Sequence, residues 1–138
     1  MTPLTLVAGA SAYDREAAIA QAMTAAFALS PDATQPHVAI VEGALAAGAA
    51  LSALEQAFVP HRLQVIRLAP GCPCCQGNLP LRVHLNRILR TKPAHIYLAL
   101  ANAAHLSSLR AWLLAPPYYQ HLTLTHTLNL TSTASPMR

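Results

Sequence analysis

The sequence predicts an α/β domain with a mainly parallel five-stranded sheet flanked by helices. Short apolar runs of strand length alternate with longer stretches in which apolar residues recur at helical spacing. Proline and glycine residues separate many of these segments. Because strands and helices alternate, we expect βαβ units with right-handed crossovers. The 138 residues suffice for one domain with its own core.

Five segments have the pattern of strands. The first four are apolar runs, and the last alternates leucine or histidine with threonine or asparagine, which is typical of a half-buried strand. The predicted strands are residues 4–8, 37–41, 62–69, 95–101 and 122–130.

Four segments between these strands have the pattern of helices. In the first, Ile19, Met23 and Phe27 recur every four residues. Pro60 ends the second helix, and Asn78 is suited to cap the third. The predicted helices are residues 15–29, 51–58, 81–89 and 106–113. We assign residues 1–130 to the domain and expect the tail 131–138 to be disordered.

Composition narrows the setting of the chain. Hydrophobic residues make up 54% and charged residues 10%, yet no apolar run reaches the roughly 20 residues of a membrane span. We therefore expect a cytoplasmic protein with reduced thiols and no membrane partner. The net charge is +4, but the basic residues that concentrate on one predicted helix, Arg82, Arg87, Arg90 and Lys92, lack interleaved aromatic side chains. A solvated helix face is favoured over a nucleic-acid interface.

All three cysteines lie in the segment Gly71–Cys75, which reads G-C-P-C-C. Thiolates are soft ligands for zinc or copper(I), and Cys72, Cys74 and Cys75 could occupy one hemisphere of a tetrahedral site. Two alternatives stay open. Cys72 and Cys75 also form a C-x-x-C pair suited to thiol–disulfide exchange, and the segment could be a structural turn.

Loops that follow strands of a parallel sheet meet at its carboxyl edge, where α/β proteins bind ligands. The cysteine loop, residues 9–14, Glu42 and residues 102–105 are predicted at that edge. His37, His61 and His95 precede their strands and are predicted at the opposite edge.

The order of these segments resembles the CobW/HypB/UreG-type metallochaperone GTPases, above all the CobW branch. Gly71–Cys75 matches the G-C-x-C-C zinc loop of that branch, Gly9–Glu16 its phosphate loop, and Val38–Gly43 its first switch. The resemblance covers nearly the whole chain. It implies a three-layer P-loop-like fold and Zn²⁺ as the metal bound by Cys72, Cys74 and Cys75.

The phosphate loop departs from the family pattern G-x-x-x-x-G-K-[ST]. Asp14 replaces the second glycine, Arg15 the lysine and Glu16 the hydroxyl residue, while Gly9 is retained. Asp14 is suited to cap the helix and to repel phosphate. At the second switch, residues 99–102 read A-L-A-N in place of the family's acidic segment. We expect a pseudo-GTPase: neither GTP with Mg²⁺ nor hydrolysis is predicted, and Gly9, Asp14, Arg15 and Glu16 are at best a weak nucleotide site.

Three cysteines leave a tetrahedral zinc ion one ligand short. Glu42 and His105 are the candidates, although a solvated carboxylate and a helix cap remain alternatives for them. The predicted partners are a metal ion and either an intact CobW-type GTPase or a client metalloprotein. The threonine-rich last strand also suggests an interaction subunit and a homodimer.

Overall fold

The described strands and helices follow one another in the order that the sequence predicts. The structure, a computed structural model, describes residues 2–9, 11–29, 35–42, 54, 63–68, 79–100, 106–115 and 120–129. Its elements in chain order are β1 Thr2–Ala8, α1 Ala12–Leu29, β2 His37–Glu42, β3 Leu63–Leu68, α2 Leu79–Leu89, β4 His95–Leu100, α3 Leu106–Leu113 and β5 Leu122–Asn129. The predicted tail lies outside the described residues.

The five strands form one sheet in the order β3-β2-β4-β1-β5, and each pairing is parallel. The α/β class and the parallel sheet are therefore confirmed. β1, which leads into residues 9–16, lies beside β4, and β2 lies between β3 and β4. All five strands consequently deliver their following loops to one carboxyl edge.

The sheet is covered on both faces. Leu4 and Leu6 of β1 pack into a cluster that includes buried residues of α2 and α3. Val7 of the same strand packs on the other face against α1. Leu54, the described residue of the second predicted helix, is helical and packs on the α1 face. Burial on both faces explains why the inner strands are almost continuously apolar. Of the described helices, none combines the length and apolarity that a membrane span needs.

Strand β5 departs from the strict alternation that its sequence suggests. Its register against β1 runs from Leu4↔Leu124 to Leu6↔Thr127, so β5 advances by one residue more than β1. This extra residue is a β-bulge, and it reverses which side chains face each layer. Leu124 accordingly packs with α2 and α3, whereas Leu128 packs on the α1 face.

A chain of hydrogen bonds connects three strands on the α1 face. Thr125 Oγ1 donates to the Leu4 carbonyl (3.1 Å) and lies 2.6 Å from Thr5 Oγ1, which lies 2.8 Å from His95 Nε2. Each hydroxyl has one proton. Since Thr125 donates to Leu4, Thr5 must donate to Thr125, and His95 must therefore donate its Nε2–H to Thr5.

We call this chain of hydrogen bonds the relay. Aromatic rings lie beside it in the amino half of the sheet. His95 stacks on Tyr97 with centroids 4.3 Å apart, and His37 meets Phe27 edge-on at 4.7 Å. Burial raises the pKa of Tyr97 to about 12, because ionisation would place a phenolate in the core. His37 and His95 are register partners at the starts of β2 and β4, which confirms their predicted position at the amino edge.

The relay predicts the effect of replacing Thr5. Thr5→Val keeps the shape of the side chain but leaves the His95 Nε2–H without its acceptor. The free energy of unfolding, measured with urea, should fall by about 1 to 3 kcal/mol.

A double-mutant cycle provides the control. In a His95→Leu background no donor remains, so Thr5→Val should cost less than it does in the wild type. Strictly additive losses would show that the two side chains are not coupled.

Candidate functional site

The turn from β1 into α1 is closed by Ser11. The N–H of Asp14 donates to Ser11 Oγ (3.1 Å), and the N–H of Arg15 donates to the Ser11 carbonyl (3.0 Å). Ser11 is thus the N-cap, whereas the sequence suggested Asp14. Asp14 lies exposed in the first turn of α1, where its carboxylate complements the positive end of the helix dipole.

Arg15 stands where the family pattern has a phosphate-binding lysine, but it turns back into the loop. Its side chain is buried (4% exposed), and Nη1 donates to the Gly9 carbonyl. The Gly9 N–H in turn donates to the carbonyl of Leu100 at the end of β4 (3.1 Å). The guanidinium therefore ties the start of α1 to the end of β1.

Three backbone donors of this loop are engaged within the chain. Phosphate loops bind anions through backbone N–H groups at the start of a helix. Here the N–H groups of Gly9, Asp14 and Arg15 all donate to oxygens of the protein. A phosphate using these three donors would first have to break those hydrogen bonds.

Glu16, at the position of the magnesium-binding hydroxyl, forms a buried ion pair. Arg67 Nη1 of β3 lies 3.1 Å from Glu16 Oε2, and the two side chains are 23% and 2% exposed. One hydrogen bond joins them, while Glu16 Oε1 and Arg67 Nη2 are buried without a hydrogen-bond partner in the structure as described. Such a pair gains little net stability, but losing one partner leaves an uncompensated charge in the interior.

Sequence reasoning did not assign a role to Arg67. It shares a strand face with Leu63 and Val65, which pack toward α1. A charged residue in line with buried apolar residues indicates a buried partner of opposite charge. This signal was present in the sequence, but the partner lies 51 positions away and could not be read from it.

Of the predicted metal ligands, only Glu42 lies among the described residues. Cys72, Cys74, Cys75 and His105 lie outside the described residues. Glu42 ends β2, and its backbone is in register with Leu68, the last residue of β3. Within the described ranges, no three or more His, Cys, Asp or Glu residues group in a way that could hold a metal ion.

Topology limits where the cysteine loop can reach. β3 is an edge strand of the described sheet and ends at Leu68, four positions before Cys72. Four residues span at most about 14 Å when extended. Neighbouring strands are about 4.8 Å apart, so the end of β2 at Glu42 is within that reach. The end of β4, from which His105 follows, lies one strand further away, at about 9.6 Å from β3, and is also within that reach.

The Glu16–Arg67 pair predicts a large asymmetry between single and double substitutions. Arg67→Met leaves the Glu16 carboxylate buried without its cation and should lower the free energy of unfolding by about 3 kcal/mol. Replacing both residues, as in Glu16→Leu with Arg67→Met, should restore most of that loss because no buried charge remains. Urea denaturation measures both.

An exposed arginine serves as the matched control. Arg87→Met on α2 removes the same charge from the surface and should change stability by less than about 0.5 kcal/mol. Equal effects of Arg67→Met and Arg87→Met would contradict a buried pair.

Comparisons of the chain with protein-family models, curated proteins and solved structures find no match. The resemblance to CobW-type proteins therefore rests on the cysteine motif and on the order of the segments. The described fold has the parallel sheet that this resemblance requires. Membership of the family stays a prediction.

Proposed function

We propose that this chain is a zinc-binding accessory protein built on a degenerate, CobW-like P-loop domain that does not hydrolyse GTP. Cys72, Cys74 and Cys75 would hold the metal. The proposed lack of GTPase activity is inferred mainly from Arg15. Its guanidinium binds the Gly9 carbonyl and not a phosphate.

The electrostatics of the loop support the same conclusion. A nucleotide with magnesium needs backbone donors, a cation for phosphate and a hydroxyl for the metal. The corresponding residues instead use their donors internally, and Glu16 pairs with Arg67. Asp14 adds an exposed negative charge at the mouth of the loop, where it would repel a phosphate.

The case for zinc rests on the chemistry of the cysteine loop. Three thiolates within four positions suit a tetrahedral metal, and a fourth ligand would complete the site. Glu42 is the preferred fourth ligand, since the end of β2 adjoins the end of β3. His105 is second, because it follows β4, the next strand along.

An accessory role follows from combining the two features. A metal-binding loop without nucleotide chemistry can store zinc, deliver it to a client metalloprotein or regulate an intact CobW-type GTPase. In each case the metal would bind without a hydrolysis cycle in this chain.

Zinc binding is tested by competition titration of the reduced full-length protein against a chromogenic chelator. We expect about one zinc ion per chain, with affinity falling at acid pH as the thiolates are protonated. The Cys72→Ser, Cys74→Ser, Cys75→Ser variant should lose the site. Equal binding by wild type and this variant would refute the proposal.

Two further variants test which residue is the fourth zinc ligand. A measurement in a glutathione buffer tests the alternative of a thiol–disulfide protein. Glu42→Gln should weaken zinc binding at least about tenfold, whereas His105→Asn should have a smaller effect. A reversible Cys72–Cys75 disulfide in a glutathione buffer, together with no zinc binding, would instead indicate a thiol–disulfide protein.

A further inference from the structure

A pocket of about 420 Å³ opens at the amino edge of the sheet, opposite the edge from which the cysteine loop leaves. We call it the amino-edge pocket. Four exposed polar residues surround it, and its remaining wall is partly apolar. The polar residues are Lys92, His121, Gln35 and Gln120, and the apolar wall includes Leu89 and Pro93.

The walls of the amino-edge pocket are tied together by backbone hydrogen bonds. The Thr2 N–H donates to the carbonyl of His121 (2.9 Å), which joins the starts of β1 and β5. The Ala94 N–H donates to the carbonyl of Pro36 (2.8 Å), which joins the segments leading into β4 and β2. The cavity is therefore bounded by segments anchored to the sheet and is not a gap between separate loops.

Among the described residues that line the amino-edge pocket, Lys92 is the charged one, and it carries a positive charge. None of these described residues is a carboxylate. Gln35 and Gln120 contribute amide groups, which can donate hydrogen bonds to an anion. A cavity with cationic and amide groups at its rim and an apolar wall suits an anion that has an apolar body.

Lys92 has a backbone conformation that lysine does not favour. Its φ is 52°, in the left-handed region, and it follows the end of α2, where its N–H donates to the Leu89 carbonyl (3.2 Å). Glycine is the usual residue at such a helix end, because a β-carbon is unfavourable there. A strained residue that is not glycine is an observation that points to a role for its side chain.

We propose that the amino-edge pocket binds a small organic carboxylate, with Lys92 as the main anion contact and Leu89 and Pro93 against its apolar part. His121 and the glutamines complete the rim. This site is independent of the proposed zinc site, since it lies at the other end of the strands. It uses none of the residues of the phosphate or cysteine loops.

The first experiment titrates the full-length protein with benzoate and follows backbone amide shifts by NMR. We expect saturable binding, with the largest shifts at residues 92 and 121. Benzyl alcohol, which has the same ring but no charge, should bind at least about tenfold more weakly, because a charged hydrogen bond is lost. Inorganic phosphate tests whether the charge alone is sufficient, and we expect it to bind more weakly than benzoate.

The decisive variant is Lys92→Gly. Glycine suits a φ of 52°, so the variant should fold and melt about 2 to 4 °C higher than the wild type. Its affinity for benzoate should nevertheless fall at least about tenfold. Arg90→Ala removes an equal charge from an exposed position outside the lining of the pocket and should retain binding.

Three outcomes would overturn the proposal. They are non-saturable benzoate binding to the wild type, equal binding of benzoate and benzyl alcohol, and unchanged affinity in Lys92→Gly. Tighter binding of phosphate than of benzoate would also reject an organic carboxylate as the ligand. None of these results depends on zinc, so this proposal can fail while the zinc proposal stands.

Discussion

The contact between the Arg15 guanidinium and the Gly9 carbonyl determines the chemistry of the turn from β1 into α1. Gly9 follows β1, which lies between β4 and β5, and Arg15 lies near the start of α1, the helix that covers one face of the sheet. A phosphate loop leaves its donors available to a ligand, whereas this turn uses its own cation and its own N–H groups to hold itself together. The Glu16–Arg67 ion pair connects the start of α1 to β3, the strand that precedes the cysteine loop in the sequence.

The two edges of the sheet consequently have different chemistry. At the carboxyl edge, Arg15 and Glu16 are engaged within the fold and Asp14 is exposed, while the three cysteines follow β3 in the sequence. Toward the amino edge, polar side chains on the α1 face are joined by the relay from His95 to the Leu4 carbonyl. The amino-edge pocket lies at this end of the strands, with Lys92 at its rim.

The sequence was sufficient to predict the strands and the helices that the structure describes, because each has an apolar pattern of one period. The strand boundaries differ from the predicted ones by no more than two residues, as at β1, which starts at Thr2 and not at Leu4. The bulge in β5 was not predictable, since it depends on register against β1 and leaves the alternating pattern unchanged. Similarly, the sequence suggested Asp14 as the cap of α1, and the hydrogen bond from the Asp14 N–H to Ser11 Oγ shows that Ser11 is the cap.

At the candidate site, the features that the sequence did not predict depend on contacts between residues that are distant in the chain. Comparison with the phosphate-loop pattern of the family that the sequence resembles identified Arg15 and Glu16 as departures, but only the packed structure shows that both are buried and engaged. The left-handed conformation of Lys92 likewise has no sequence signal, because the usual indicator of such a position is glycine.

We propose that internal contacts at the turn from β1 into α1 take the place of nucleotide binding in this domain. Titration with a fluorescent GTP analogue in the presence of Mg²⁺ tests it most directly. We expect no saturable binding up to millimolar nucleotide, with or without zinc. Micromolar binding that is abolished by Arg15→Ala would contradict it, because Arg15 would then be a ligand for phosphate.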